Sequence, residues 1–294
     1  MKISFVITNT RRKSIAFVAD TFDTFSLDEA VRAVKNKLFE NVYLVSGTVG
    51  THIRSNPDAS ANNNIDAISI TGPQLIAIAQ GIIRPTAAIQ TYVARYIASI
   101  ANTKSFIEPI DSFRVPTSVV QRVFESHSDI IKKAAQEFSI DQYILGAILI
   151  DEIARLAPFE PIVEKMGADI IGKNTSVGVA QVKIETANDL IKKDLYNPSP
   201  SDKKLPFSGN LTNEDRRHLY QYAVRPKHSI RFAAAFIRYV IDFWLPHIDL
   251  TNRPDIIGTL YHQGYGSPNP HPESIERGEQ IANEFYSLAK KWLD

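Results

Sequence analysis

DQYILGAILIDEIARL, from Asp141 to Leu156, holds the longest apolar run of the chain, Tyr143 to Ile150. Ile144, Leu145, Ala147, Ile148, Ile150 and Ile153 wrap most of a helical circumference, so the stretch predicts a core helix. The run falls short of the ~18 apolar residues that cross a bilayer. Asp151 and Glu152 interrupt it as an acidic pair. Two readings of the pair stand side by side. In one, both carboxylates face water at the rim of the helix. In the other, one of them projects from the buried helix into a cleft, where an apolar wall raises its pKa and keeps it protonated as a general acid.

C-terminal to this stretch the helical period continues. It predicts helices over Ile184–Lys193, Ser229–Trp244, Asp255–Tyr261 and Pro272–Trp292, with 194–225 a polar, proline-bearing insertion. Immediately before it, Val119–Phe138 reads as one helix. Further toward the N-terminus the period changes. Ile3, Phe5 and Ile7 alternate as in a strand, as do Ile15 with Phe17 and Val18, and Val42 with Leu44 and Val45; His52–Ser55 and Ile65–Ile70 are shorter candidates. One helix, Leu27–Leu38, interrupts them behind a Ser26/Glu29 capping-box pattern. Helical spacing resumes at Thr71 and over Thr86–Asn102, before a stretch broken by Pro109 and Pro116. The expectation is an α+β chain: a small ββαββ domain over 1–82, a linker helix and loop over 83–115, and a mainly α-helical domain over 116–294.

The chain has 294 residues, 44% hydrophobic and 22% charged, which excludes a fibrous or wholly disordered protein. With no cysteine, thiolate catalysis and cysteine-ligated metal sites are excluded. Thirty-three Lys and Arg against 32 Asp and Glu leave a net charge of +1, so no nucleic-acid partner is expected. The N-terminus lacks the apolar region of a signal peptide. The expectation is synthesis in the cytoplasm, no membrane span, and, for any action at a cell wall, export by a dedicated machine.

GADIIGK (Gly167–Lys173) matches the start of a phosphate-binding loop, but Asn174 stands where a Ser or Thr hydroxyl would hold magnesium. It reads as a chance match. No two of the seven histidines share the i, i+4 spacing of a helical zinc site; His262, His271 and Glu273, close together in what reads as a loop, are taken as solvated. No metal and no cofactor is expected.

Two further segments bear on the acidic pair. GVAQVKIETA places Gly178 and Gln181 in a turn, then Thr186 and Ala187 in the following helix; LYHQG places Tyr261 at a helix end, followed by Gly264. With AILIDE, which ends at Glu152, these segments resemble in type and order the three motifs of the lysozyme-like superfamily, the soluble lytic transglycosylases and goose-type lysozymes. The resemblance covers about residues 119–292. It departs from the family at Ile153, at Val179-Ala180 and at His262. Residues 1–71 resemble, more weakly, a small bacterial ββαββ module of unassigned function.

The first resemblance implies a peptidoglycan glycosidase, a lytic transglycosylase or muramidase, that cleaves the β-1,4 bond between N-acetylmuramic acid and N-acetylglucosamine. Glu152 would be the general acid and then the base, Gln181, Tyr261, Gly178 and His262 would line the substrate site, and Tyr261 would also hydrogen-bond Glu152. Hydrolysis calls for a second carboxylate. Asp169, Glu164 and Glu160 are candidates, and Asp151 is the poorest, since adjacent helical residues point ~100° apart. Partners implied are glycan strands, a secretion or phage-type delivery apparatus and an immunity protein. The alternative is a non-catalytic module that grips glycan or protein on the same scaffold.

Overall fold

The computed structural model of the chain describes residues 1–9, 11–47, 50–57, 64–79, 83–100, 106–107, 115–156, 159, 162 and 176–294. By its contacts the chain forms two units. One comprises Met1–Lys104 with Pro158–Lys173, the other Ser105–Ala157 with Asn174–Asp294.

In the first unit β1 (Ile3–Thr8) pairs antiparallel with β2 (Ser14–Ala19), and β3 (Thr24–Ser26) extends the sheet beyond β2. α1 (Leu27–Lys35) starts at Ser26, whose hydroxyl accepts from the Glu29 N–H while the Glu29 carboxylate accepts from the Ser26 N–H. This is the capping box read from the sequence. β4 (Val42–Gly47) and β5 (Gly50–Ser55) form a separate antiparallel hairpin. β6 (Ser69–Thr71) returns parallel to β1, so the main sheet has the order β3-β2-β1-β6. The predicted strand Ile65–Ile70 is thus realised only at its end. Its first residues form a turn, in which the Ile65 N–H donates to Ser55 Oγ.

Neighbours on β1 face opposite sides of the sheet. Val6 joins Phe17, Ala30, Ala33 and Phe39 in the core beneath α1. Phe5 meets Tyr92 edge-on, with ring centroids 5.0 Å apart. After α2 (Gly72–Ala79), α3 (Ala87–Ile100) carries that tyrosine, and Phe159 stacks on it. Where a linker is expected over 83–115 and one uninterrupted domain from 116, contacts instead place α3 and Phe159 in the first unit. Aromatic burial is the physical reason.

The second unit opens with the short pair β7 (Phe106–Ile107) and β8 (Val115–Pro116), then α4 (Thr117–Glu125) and α5 (Ser128–Glu137). The single helix expected over Val119–Phe138 breaks at Ser126, whose hydroxyl donates to the Val123 carbonyl and competes with the helical ladder. α6 (Gln142–Leu156) is buried at every residue from Ile144 to Arg155, the all-round burial that its apolar circumference predicts. β9 (Ser176–Val177) and β10 (Val182–Lys183) make a tight hairpin that leads into α7 (Ile184–Lys192). Within the predicted insertion lies α8 (Asn213–Ala223), started by a Thr212/Asp215 capping box; only Leu219 and Ala223 are buried, so its sequence carries little apolar period. α9 (Pro226–Trp244), α10 (Pro254–Gln263), α11 (Glu276–Gln280), a π turn (Ile281–Phe285) and α12 (Tyr286–Leu293) follow. α4, α5, α9, α10, the π turn and α12 all pack on α6. Among the described residues no helix is long and apolar enough to cross a membrane.

If α3 belongs to the first unit's core, Phe5→Ala should cost about 3–5 kcal/mol, the usual range for a buried phenylalanine. Hydrogen exchange of the β1 and β2 amides would read it. A loss of only ~0.5 kcal/mol, typical of surface positions, would show that α3 is a detachable connector.

Candidate active site

The site grows from the C-terminal half of α6. Asp151 and Glu152 retain only 1% and 4% exposure, so the solvated-rim reading of the pair does not hold. Two charges in a helical core are costly unless matched. The match comes from two arginines. Arg155, one turn further along α6, donates from Nε to Asp151 Oδ1 at 2.9 Å. Arg277, on α11, donates from Nε to Asp151 Oδ2 at 2.7 Å and from Nη2 to Glu152 Oε1 at 2.8 Å. Its Nη2 also lies 2.5 Å from Asp151 Oδ2.

The third edge of this guanidinium reaches His262, with Nη1 2.7 Å from Nδ1. Arginine only donates, so Nδ1 is the acceptor and the imidazole proton sits on Nε2. His262 lies in the last turn of α10 and not in a loop. Burial, reinforced by the charge of Arg277, depresses its pKa to about 4, so the ring is neutral at physiological pH.

Arg277 reaches the carboxylates because α11 lies directly against α10. At Gly278 a Cβ would stand 2.2 Å from the Asp255 carbonyl oxygen and 2.2 Å from Thr259 Oγ1. Thr259 Oγ1 donates to that same carbonyl and accepts from the Ile275 N–H at the start of α11. A side chain at 278 would therefore push the arginine away from its acceptors.

Two residues in the left-handed region shape the β9–β10 turn. Gly178 has φ +71°, and a Cβ there would meet the Ala223 carbonyl and Ser229 Oγ at 2.5 Å. Gln181 is left-handed as well, with φ +47°. Ala180 pins the turn to two helices: its N–H donates to Ser229 Oγ of α9 at 3.0 Å, and its carbonyl accepts from the Tyr261 hydroxyl of α10 at 2.6 Å. Gln181 donates from both its backbone N and its Nε2 to the Gly178 carbonyl. That leaves Gln181 Oε1 buried without a hydrogen-bond partner, as is Glu152 Oε2.

The electrostatics separate the two carboxyls. Burial alone would raise Asp151, but Arg277 and Arg155 overcome it and hold the carboxyl below its ordinary value. Burial dominates at Glu152 and pushes it up to about 7, with Arg277 opposing and Asp151 adding to the rise. The two arginines thus favour the ionised form of Asp151 while burial favours the protonated form of Glu152, a division that separates acid from base in enzyme sites. Tyr261 is raised well above its ordinary value by burial and by the charge of Glu152.

Of the residues named from the sequence, Glu152 and His262 share one guanidinium, while Gly178, Gln181 and Tyr261 meet through the turn. The expected hydrogen bond from Tyr261 to Glu152 is absent, since the hydroxyl is committed to the Ala180 carbonyl. Glu160, Glu164 and Asp169 lie outside the described residues, as does the segment Gly167–Lys173. His271 and Glu273 are exposed. No cluster of His, Cys, Asp and Glu able to hold a metal occurs among the described residues. Arg155 and Arg277 were not among the residues read from the sequence. The i, i+4 spacing of Asp151 and Arg155 signals the first; nothing local to Ile275–Glu279 signals the second. No protein-family model matches the chain, and no curated protein matches it in sequence.

Two outcomes follow. A carboxyl raised on folding contributes stability that is full below its unfolded pKa of 4.5 and is lost as pH rises through about 7. The difference in Tm between Glu152→Gln and wild type should therefore become more positive from acid to alkaline pH, and a flat difference would contradict the raised pKa. Gly278→Ala should cost about 1–3 kcal/mol in urea unfolding as an overpacked site. A neutral substitution would mean that α11 does not need this approach.

Proposed function

We propose that the chain is a peptidoglycan-cleaving glycosidase, a lytic transglycosylase or muramidase, with Glu152 as its general acid. The observation that carries this reading is a glutamate buried to 4% exposure, with Oε1 on Arg277 and Oε2 unpartnered, beside an aspartate whose oxygens take both arginines; burial raises the Glu152 carboxyl and the arginines lower Asp151. Such a group donates a proton to the bridging glycosidic oxygen and, once ionised, serves as base for the second step. Gln181 supports the reading because its buried, unpartnered amide oxygen accepts from a sugar hydroxyl or acetamido N–H. Asp151 is a poor nucleophile because Arg155 and Arg277 occupy both its oxygens. Among the described residues no other carboxylate acts on Glu152, so the reading takes assistance from the substrate's own acetamido group, with its 6-hydroxyl closing the anhydro sugar. Action would then be at the cell wall, on glycan strands, after delivery by export machinery.

One observation favours the second reading, a lysozyme-like scaffold that binds glycan without cleaving it. Glu152 has 4% exposure and already holds an arginine. Turnover decides between them. Wild-type protein should solubilise purified peptidoglycan, and Glu152→Gln should be about 10²–10⁴-fold slower. Mass spectrometry of the products should find anhydro ends. Equal turnover by the variant refutes Glu152 as the acid, and glycan binding without turnover by wild type establishes the second reading.

A further inference from the structure

The oxygens of Glu152 are not equivalent. Oε1 accepts from Arg277 Nη2 at 2.8 Å, whereas Oε2 is buried with no hydrogen-bond partner. A guanidinium has no lone pair to accept a proton, so a protonated Glu152 places its O–H most favourably on Oε2. Arg277 is itself held on its other edges by Asp151 and His262, and α11 is seated against α10 at Gly278. We propose that Arg277 is the positioning residue of this site: it holds Oε1, leaves Oε2 to carry and deliver the acidic proton, and faces the negative charge that remains on the carboxylate after transfer. Asp151 anchors the guanidinium and balances its charge. The inference rests on the glycosidase reading.

The step balances without a further reactant. The O–H bond at Oε2 breaks and its proton goes to the glycosidic oxygen; the C–O bond to the leaving sugar breaks with its electron pair on that oxygen while the substrate's acetamido oxygen bonds the anomeric carbon, and Glu152 is left as a carboxylate against Arg277. The substrate's 6-hydroxyl then displaces the acetamido oxygen from that carbon and returns its proton to Glu152. Among the described residues the charged and titratable groups around Glu152 are Asp151 and Arg155 on its own helix, Arg277 on α11, and Tyr261 on α10. His262 lies beyond the guanidinium, where Lys183 also acts on it.

The test uses the full chain as wild type, Arg277→Met and Arg277→Lys. It has two readouts: the pH profile of kcat and KM on purified peptidoglycan, and the titration of Glu152 by carbon-13 NMR of glutamate-labelled protein, assigned with Glu152→Gln. Arg277→Met should move the Glu152 titration to higher pH and lower kcat by about 10²-fold, the usual cost of a misplaced catalytic group, with KM little changed. Arg277→Lys keeps the charge but not the planar fork that spans three acceptors. Its titration should therefore stay nearer to wild type while kcat still falls, and this variant carries the test if Arg277→Met does not fold. A wild-type kcat and titration in either folded variant overturns the inference and leaves the glycosidase reading standing. A wild-type protein that leaves peptidoglycan intact overturns that reading and, with it, the role in proton delivery.

Discussion

One guanidinium ties the second unit's polar centre together. Arg277 bonds Asp151 and Glu152 on α6 and His262 on α10, so two helices depend on a side chain carried by α11, a helix of little more than one turn. Each carboxylate is paired within a helical core, and the cost of desolvating an ion is offset only where its partners are in place. Removing the arginine would leave two acids buried with one cation, Arg155, between them. The Cβ-free approach of Gly278 and the Thr259 hydroxyl bridge exist, in this account, to keep that side chain within reach.

The same contact produces chemical asymmetry between adjacent residues. Asp151 takes both arginines and stays ionised; Glu152 takes a single bond at one oxygen and is left to the apolar helix packing, which favours its neutral form. Adjacent positions on one helix thereby acquire different roles. The β9–β10 turn is held separately, by Ser229 and Tyr261 at Ala180, so that Gln181 keeps its strained backbone whatever the state of the carboxyl.

Much of this was legible in the sequence where periodicity or local hydrogen bonding decides. The all-round apolar pattern of Tyr143–Ile150 specifies a buried helix, and Ser26 with Glu29 specifies the start of α1, because each signal is complete within a few residues. α8 was not legible, since a mostly exposed helix shows little apolar period and its cap lies in a polar stretch. The family resemblance pairs Tyr261 with Glu152, yet the Ala180 carbonyl takes its hydroxyl, a choice set by the tertiary path of a turn 81 residues away. Arg277 illustrates the limit most plainly. It lies 125 residues from Glu152, and no pattern near it announces a buried ion pair.

The central claim is that Glu152 holds its proton near neutrality inside this network. Infrared difference spectroscopy across a pH titration, with Glu152→Gln as the reference, tests it most directly. The account predicts a protonated carboxylic C=O band, absent from the variant, that disappears as pH rises through about 7. A band lost near 4.5, the ordinary value for glutamate, would contradict the account, because the carboxyl would then already be ionised at neutral pH.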